Sequence, residues 1–320
     1  MPNRRVLIWI VLVAGLLLTL SIAVSIGSQQ LSLFELDDTQ RAIFFDIRLP
    51  RVLLGACVGA SLATAGAALQ ALLRNPLAEP YLLGVSNGAA LGTMLAFVFF
   101  EQFIFARPLM AFAGAALATF TVYQMARSRA GMNVERLVLS GVIVTTLLSS
   151  VIVLMTSLLD AARLRGFTFW LLGDLSQATM NGFYLTLFSV VVGSLVLTSQ
   201  ARPLNLMMIG ERDALDYGVE VGRVRMIVFA MASLLVGSAV AASGSVGYVG
   251  LIVPHLVRLA IGSDNRLVVP MSAIAGAIFV VLADTVARVA IAPRELPVGA
   301  ITALIGAPVF IYLLNRSGKV

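Results

Sequence analysis

Long apolar stretches alternate with short polar breaks along almost the whole chain. The first, VLIWIVLVAGLLLTLSIAVSIG over residues 6–27, exceeds the roughly 20 apolar residues that cross the hydrocarbon core of a bilayer. Reading apolar stretches between polar breaks predicts ten spans, at 6–27, 51–73, 83–100, 108–126, 137–158, 181–199, 226–243, 248–261, 268–291 and 297–315. Backbone groups in hydrocarbon must be satisfied within their own segment, so these runs have to be helices. The expected fold class is all-α, a polytopic membrane protein with about ten transmembrane helices in one domain over residues 1–320. The eighth span is short, and its border with the seventh runs through SGSVGYVG (243–250). Small residues recur at helical spacing in GACVGASLATAGAALQA (55–71), which favours close helix packing over lipid contact.

One stretch breaks the pattern. GERDALDYGVEVGRVR (210–225) carries seven charged side chains between apolar neighbours. Its start reads as a helix over 211–217, with Ala214 and Leu215 beside Val219 and Val221, and Glu211, Arg212, Asp213 and Asp216 mostly on other sides. Gly218 stands where a helix C-terminal glycine stops the turn. Acidic residues in the first turn suit the helix dipole. Upstream, LNLMMIG (204–210) adds an apolar ledge with methionines, the adaptable kind of surface used in binding. From these residues alone the stretch is either a solvated connector or a docking segment.

Composition agrees with the pattern: the chain is 59% hydrophobic and 12% charged, where soluble proteins carry about a quarter charged residues. The net charge of +6 comes from 22 basic residues, of which only Lys319 is a lysine, spread among short loops. That distribution orients spans in a membrane and does not point to nucleic acid. An even span count puts both termini on one side. If that side is cytoplasmic, inner loops hold fourteen basic residues and outer loops eight, so both termini are expected inside with the 210–225 stretch. The run after MPNRR is too long for a signal-peptide core and no A-x-A site follows, so an uncleaved first span is expected.

Several chemistries fall away. A P-loop needs a lysine against the phosphates, and Lys319 lies next to the C-terminus, so no ATP site and no cofactor are expected in this chain. Cys57 lies in an apolar segment, and His255 is the only histidine, so neither disulfide nor metal site is expected. Intramembrane ionisable groups are functional candidates by default. Asp284 stands four residues before Arg288, on one helix face, and either pairs with it or relays protons. Gln70 reads as a helix-packing hydrogen bond, and His255 as either a packed neutral ring or a functional one.

Four long stretches together resemble the FecCD family of ABC-transporter permeases: IRLPR (47–51), NPLAEPYLLGVSNGAALG (75–92), GSVGYVGLIVPHLVRL (244–259) and ELPVGAITALIGAPVFIYLL (295–314). The resemblance runs over the whole chain in order. It implies the type II ABC importer permease fold, with ten spans and both termini cytoplasmic in the inner membrane. It also implies a homodimer, two cytoplasmic ATPase subunits that bind ATP and Mg, and an extracytoplasmic binding protein. The implied cargo is a metal chelate, with iron–siderophore first, then cobalamin and haem. The alternative is a proton- or ion-coupled secondary transporter.

By position, the resemblance makes 204–225 the ATPase-coupling segment, with Gly210, Glu211, Asp213, Ala214, Leu215, Gly218 and Arg223 as candidates. It makes Arg48, Arg51, Arg288 and Arg294 candidates for docking the binding protein, since a guanidinium pairs bidentately with carboxylates. Interfacial anchoring of helix ends is the competing role for Arg48 and Arg51. The cytoplasmic gate falls in GMNVERLVLSG (131–141), at Asn133, Val134 and Glu135, where relatives often carry small hydroxyl residues.

Overall fold

The computed structural model describes residues 2–27, 37–100, 103, 105–128, 131–132 and 134–317. Helix α1 (Pro2–Ser25) is followed by α2 (Asp38–Ala42), which continues through a π-helical turn (Ile43–Arg48) into α3 (Leu49–Leu73). Then come α4 (Val85–Phe99), α5 (Ala106–Ala126), α6 (Val134–Thr156), α7 (Ala161–Leu171) and α8 (Met180–Ser199). The last six are α9 (Ala201–Ile209), α10 (Glu211–Asp216), α11 (Val221–Ser243), α12 (Val249–Ile261), α13 (Asn265–Val289) and α14 (Val298–Ser317). Between α5 and α6, Arg127–Ser128 and Gly131–Met132 pair as two short antiparallel strands.

A helix stands at each of the ten predicted spans. Among the described residues seven helical runs are long and apolar enough to cross a bilayer; α4, α12 and the Val298–Leu313 stretch of α14 are shorter. Three helical pieces were not anticipated. The second span is extended at its N-terminal end by α2 and the π turn. The connection after the fifth span contains α7, capped by Asp160, whose carboxylate accepts the Arg163 N–H at 2.9 Å. The stretch before 210 folds as α9.

Helix α3 is the hub. It is buried nearly all round and packs on α13, α11, α8 and α12. Its small residues allow this: a Cβ on Gly59 would strike the Gly276 carbonyl of α13, and one on Gly66 the Gly250 carbonyl of α12. Between helices that gain nothing from expelling lipid, such backbone-to-backbone contact supplies the dispersion energy of association. Helices α6 and α14 lie further out, α6 on α4 and α5, α14 on α12 and α13.

Two connections fold inward. Pro80 and the Leu62 carbonyl of α3 both crowd Gly250, within 2.8 Å of a Cβ built there. Leu62 stands eleven residues from both Arg51 and Leu73, about 16 Å either way at 1.5 Å per residue. The 74–84 and 244–248 connections therefore meet halfway through the layer, which is why α4 and α12 are short.

Candidate functional site

At the end of the bundle where α1 stops, charges converge on Asp284 of α13. Arg51 of α3 donates to its carboxylate from Nε (3.1 Å to each oxygen) and Nη2 (3.0 Å), and from Nη1 to Glu295 at 2.7 Å. Arg288 places Nε 3.1 Å from Asp284 Oδ2, as charge pairing only, because that N–H is not aimed at the oxygen. The Arg288 Nη groups donate to the carbonyls of Ala23 (2.9 Å) and Ile26 (3.2 Å), and Arg48 Nη1 to those of Val24 (3.2 Å) and Ser25 (2.9 Å). Those carbonyls close α1 and have no helical partner, and the negative end of the helix dipole favours cations there. Arg48, Arg51 and Arg288 are 5–6% exposed in the chain, whereas Arg294 is exposed beside the turn at Pro293. The pairing of Asp284 with Arg288 that the sequence allowed is present, and Arg51 joins it.

At mid-depth the two inward connections are stitched together. The Tyr81 hydroxyl donates to the Val246 carbonyl and accepts from the Val246 N–H, both at 3.0 Å. Ser86 donates to the Ser245 hydroxyl at 3.0 Å, and the Glu79 carboxylate accepts the Tyr248 N–H at 3.3 Å. Tyr248 adopts φ +68°, a left-handed conformation that costs energy for a residue with a Cβ and is held by these contacts. Asn87 ties α4 to α6 through the Thr145 carbonyl (3.0 Å) and the Ser149 hydroxyl (2.6 Å). Gln70 donates to the Leu251 carbonyl at 3.0 Å, the packing bond expected of it. His255 is half-buried on α12 and Cys57 is buried on α3.

At the opposite end, α10 follows Gly210 and ends in a Schellman motif. The Val219 N–H reaches the Ala214 carbonyl and the Gly218 N–H the Leu215 carbonyl, each at 2.9 Å, with Gly218 at φ +79°. Ala214 is fully buried, and Glu211 pairs with Arg225 of α11 at 2.7 Å. Leu215 does not share the buried side with Ala214, as the sequence had suggested; it is 55% exposed, with Ile209 and Tyr217 also exposed. The two residues are adjacent, about 100° apart round the helix, so burying Ala214 turns Leu215 outward. Asp213 and Arg223 face solvent, with Arg223 3.7 Å from Glu220.

Behind α10, Asn205 of α9 grips the start of α13. Its amide donates to Asp264 at 2.7 Å, and its carbonyl accepts from the Asn265 backbone (2.9 Å) and side chain (2.8 Å). Arg258 of α12 reaches both Asn265 (3.0 Å) and the Ala67 carbonyl of α3 (2.9 Å). Burial alone would raise the Asp264 carboxyl, but the Asn205 amide, the Arg266 N–H and nearby arginine charges hold it below the ordinary carboxylate range. Of the gate candidates, Asn133 and the Val134 side chain lie outside the described residues, and Glu135 is exposed at the start of α6.

Residues 7–316 match the model of the FecCD transport family. The chain belongs to the FecCD transport family. The cobalamin import system permease protein BtuC of Halobacterium salinarum is 46% identical over 285 residues, covering 88% of this chain and 76% of that one. The hemin transport system permease protein HmuU of Yersinia pestis is 36% identical, covering 95% and 96%, and the vitamin B12 permease BtuC of Vibrio cholerae 39%, covering 96% and 93%. Among solved structures, a metal-chelate type ABC transporter in an inward-facing conformation superposes with a TM-score of 0.88 at 32% identity, over 99% of this chain and all of that one. The FecCD membership and the helical architecture together make this chain a multi-span membrane transport subunit.

Sequence reasoning missed Asn205, Asp264, Asn265, Arg258, Tyr81 and Glu79 as linking residues. Each bond joins positions 57 or more apart or sits across a helix boundary, so no local spacing reports it. The one available signal was that two of the four quoted family stretches, 75–92 and 244–259, hold Glu79, Tyr81 and their partners.

Proposed function

We propose that the chain is the membrane-spanning permease of a binding-protein-dependent ABC importer for metal chelates, working as a homodimer by alternating access at the dimer interface. Two cytoplasmic ATPase subunits bind ATP and Mg and dock on 204–225, and an extracytoplasmic binding protein delivers cargo to the outer face. Both termini lie in the cytoplasm, in keeping with the fourteen-to-eight split of basic residues. The sequence alone put iron–siderophore first; the two cobalamin permeases, at 46% and 39% identity against 36% for the hemin permease, move cobalamin ahead of it.

The observation that carries this reading is the build of the inner segment. A helix of six residues is too short to hold itself in water. Here it is held by Ala214 in the core, the Glu211–Arg225 bridge and the Gly218 stop, and it presents Ile209, Leu215 and Tyr217 outward. A rigid knob with an apolar tip, joined through Asn205 to α13, suits a part that is pushed by a partner and moves a span. Asp284 paired by two arginines weighs against the proton-coupled carrier.

Replacing Glu211, Asp213 and Leu215 together is expected to abolish co-purification of the ATPase while leaving membrane insertion intact. Undiminished co-purification overturns the coupling assignment.

A further inference from the structure

Glu79 is a half-buried carboxylate that neither end cluster uses. It lies next to Pro80, which the Gly250 contact places halfway through the layer. Among the described residues its one hydrogen-bond partner is the Tyr248 N–H, and no cation pairs with it. Ionisable groups at this depth are costly and persist where they serve a route.

The surroundings say which way it faces. Glu79, Tyr81, Ser86, Asn87, Ser245 and Tyr248 are all half-buried, so the strip they form has one open side. A Cβ on Gly141 of α6 would strike the Leu82 carbonyl, and one on Gly306 of α14 would lie 2.7 Å from the Tyr248 Cβ. The strip is therefore the floor of a groove with α6 along one edge and α14 along the other. Non-helical backbone at membrane depth is tolerated only where protein covers it or it lines water. Residues 244–248 are non-helical, with Ser245, Gly247 and Tyr248 half-open, so the groove cannot face lipid. Covered by the second copy of the dimer proposed above, its floor faces the cargo.

We propose that Glu79 is a specificity-determining residue on the translocation route, placing an acidic acceptor that favours neutral, N–H-bearing chelates and opposes anionic ones. This rests on the permease reading. A neutral chelate with amide side chains can donate to the carboxylate oxygen that Tyr248 leaves open. A chelate carrying carboxylates meets like charge in a narrow space without a compensating cation.

The test reads local charge directly. In a Cys57→Ala background, Ser86→Cys or Ser245→Cys supplies a thiol within about 10 Å of Glu79, since three residues of chain separate Ser245 from Tyr248. The assembled permease–ATPase complex in lipid nanodiscs is treated with cationic and with anionic methanethiosulfonate. Both thiols are expected to react, faster with the cation. Glu79→Gln, which keeps an acceptor for the Tyr248 N–H, should lower the cation-to-anion rate ratio about tenfold, and Glu79→Asp should retain it. Thiols inert to both reagents, or a ratio that Glu79→Gln leaves unchanged, overturn the proposal.

A second arm compares ATP-driven uptake of cyanocobalamin and of haem into proteoliposomes with one binding protein throughout, so that its own preference cancels between variants. Glu79→Gln should shift the balance toward the anionic haem. A wild-type complex that moves no chelate with ATP sinks the transport reading, whereas an unchanged reagent ratio sinks the Glu79 assignment alone.

Discussion

Asp284→Asn removes the carboxylate against which two buried arginines are packed. In the native chain Arg51 and Arg288 lie within 3.1 Å of it, and both its side chain and theirs are under a tenth exposed. After the change Arg51 keeps Glu295, whose side chain is 47% exposed and therefore well solvated, and Arg288 keeps the α1 carbonyls. Breaking a buried pair from one side costs about 3–5 kcal/mol, chiefly because the remaining charge stays buried. Asparagine preserves one acceptor oxygen, which argues for the lower end. At about 2–4 °C per kcal/mol for a chain of this size, the melting temperature should fall by roughly 6–12 °C. The assay is thermal unfolding of the detergent-purified protein, paired with ATP-driven uptake normalised to folded protein. The expected result is a less stable permease whose surviving molecules transport normally. A melting temperature within about 2 °C of wild type combined with lost uptake would refute the reasoning. That outcome would make Asp284 a proton carrier and revive the gradient-driven alternative.

Other consequences follow from the inner network and the hub. Asn205→Ala deletes three hydrogen bonds between α9 and the start of α13. ATP hydrolysis by the complex should persist while uptake per ATP falls about tenfold, as expected for a loss of near 1.4 kcal/mol of coupling; equal loss of both activities would contradict this. Gly59→Val drives a side chain into the Gly276 backbone, so folded protein should disappear on size-exclusion chromatography, and a monodisperse product would show that α3 and α13 can separate. Gly218→Ala strains the left-handed stop of α10 by about 1 kcal/mol. Amide exchange should then quicken over 211–219 with the transmembrane helices unaffected.

How far the sequence could be read depended on the physics of each part. The helices at all ten positions were legible from their apolar composition, and among the described residues seven also have the length that crossing hydrocarbon imposes. The α10 helix was legible from the Gly218 stop and the acidic first turn. Helix α7 was not, because AARLRGFTFWL is too short and too basic to register as a span. Nor was the depth of the 74–84 and 244–248 connections: only the contacts of Pro80 and the Leu62 carbonyl with Gly250 put them mid-layer. Orientation within α10 failed for a related reason. Ala214 and Leu215 are adjacent, so a small rotation decides which is buried, and that rotation is set by Val219 and Arg225 closing back on the helix.

The arginines around Asp284 show why residue type alone left their role open. A guanidinium has five donors, and a site is available for an incoming carboxylate only in proportion to the donors left over. Arg51 already directs Nε and both Nη groups at Asp284 and Glu295, and Arg288 spends its Nη groups on carbonyls of α1 and on Thr285. Any acidic partner from outside would have to compete with Asp284 or pull the end of α1 away. Among the described residues no carboxylate pairs with Arg294, which is exposed. If the outer face is read by an acidic binding protein, Arg294→Glu should weaken that association by like-charge contact with no change in melting temperature. Arg48→Gln should do the reverse, loosening the last turn of α1 and leaving association kinetics alone. Solution binding of the binding protein at two salt concentrations separates the two, because only an exposed charge contributes a salt-dependent on-rate. Equal effects at both positions would mean that the arginines of the cluster turn outward when the partner arrives.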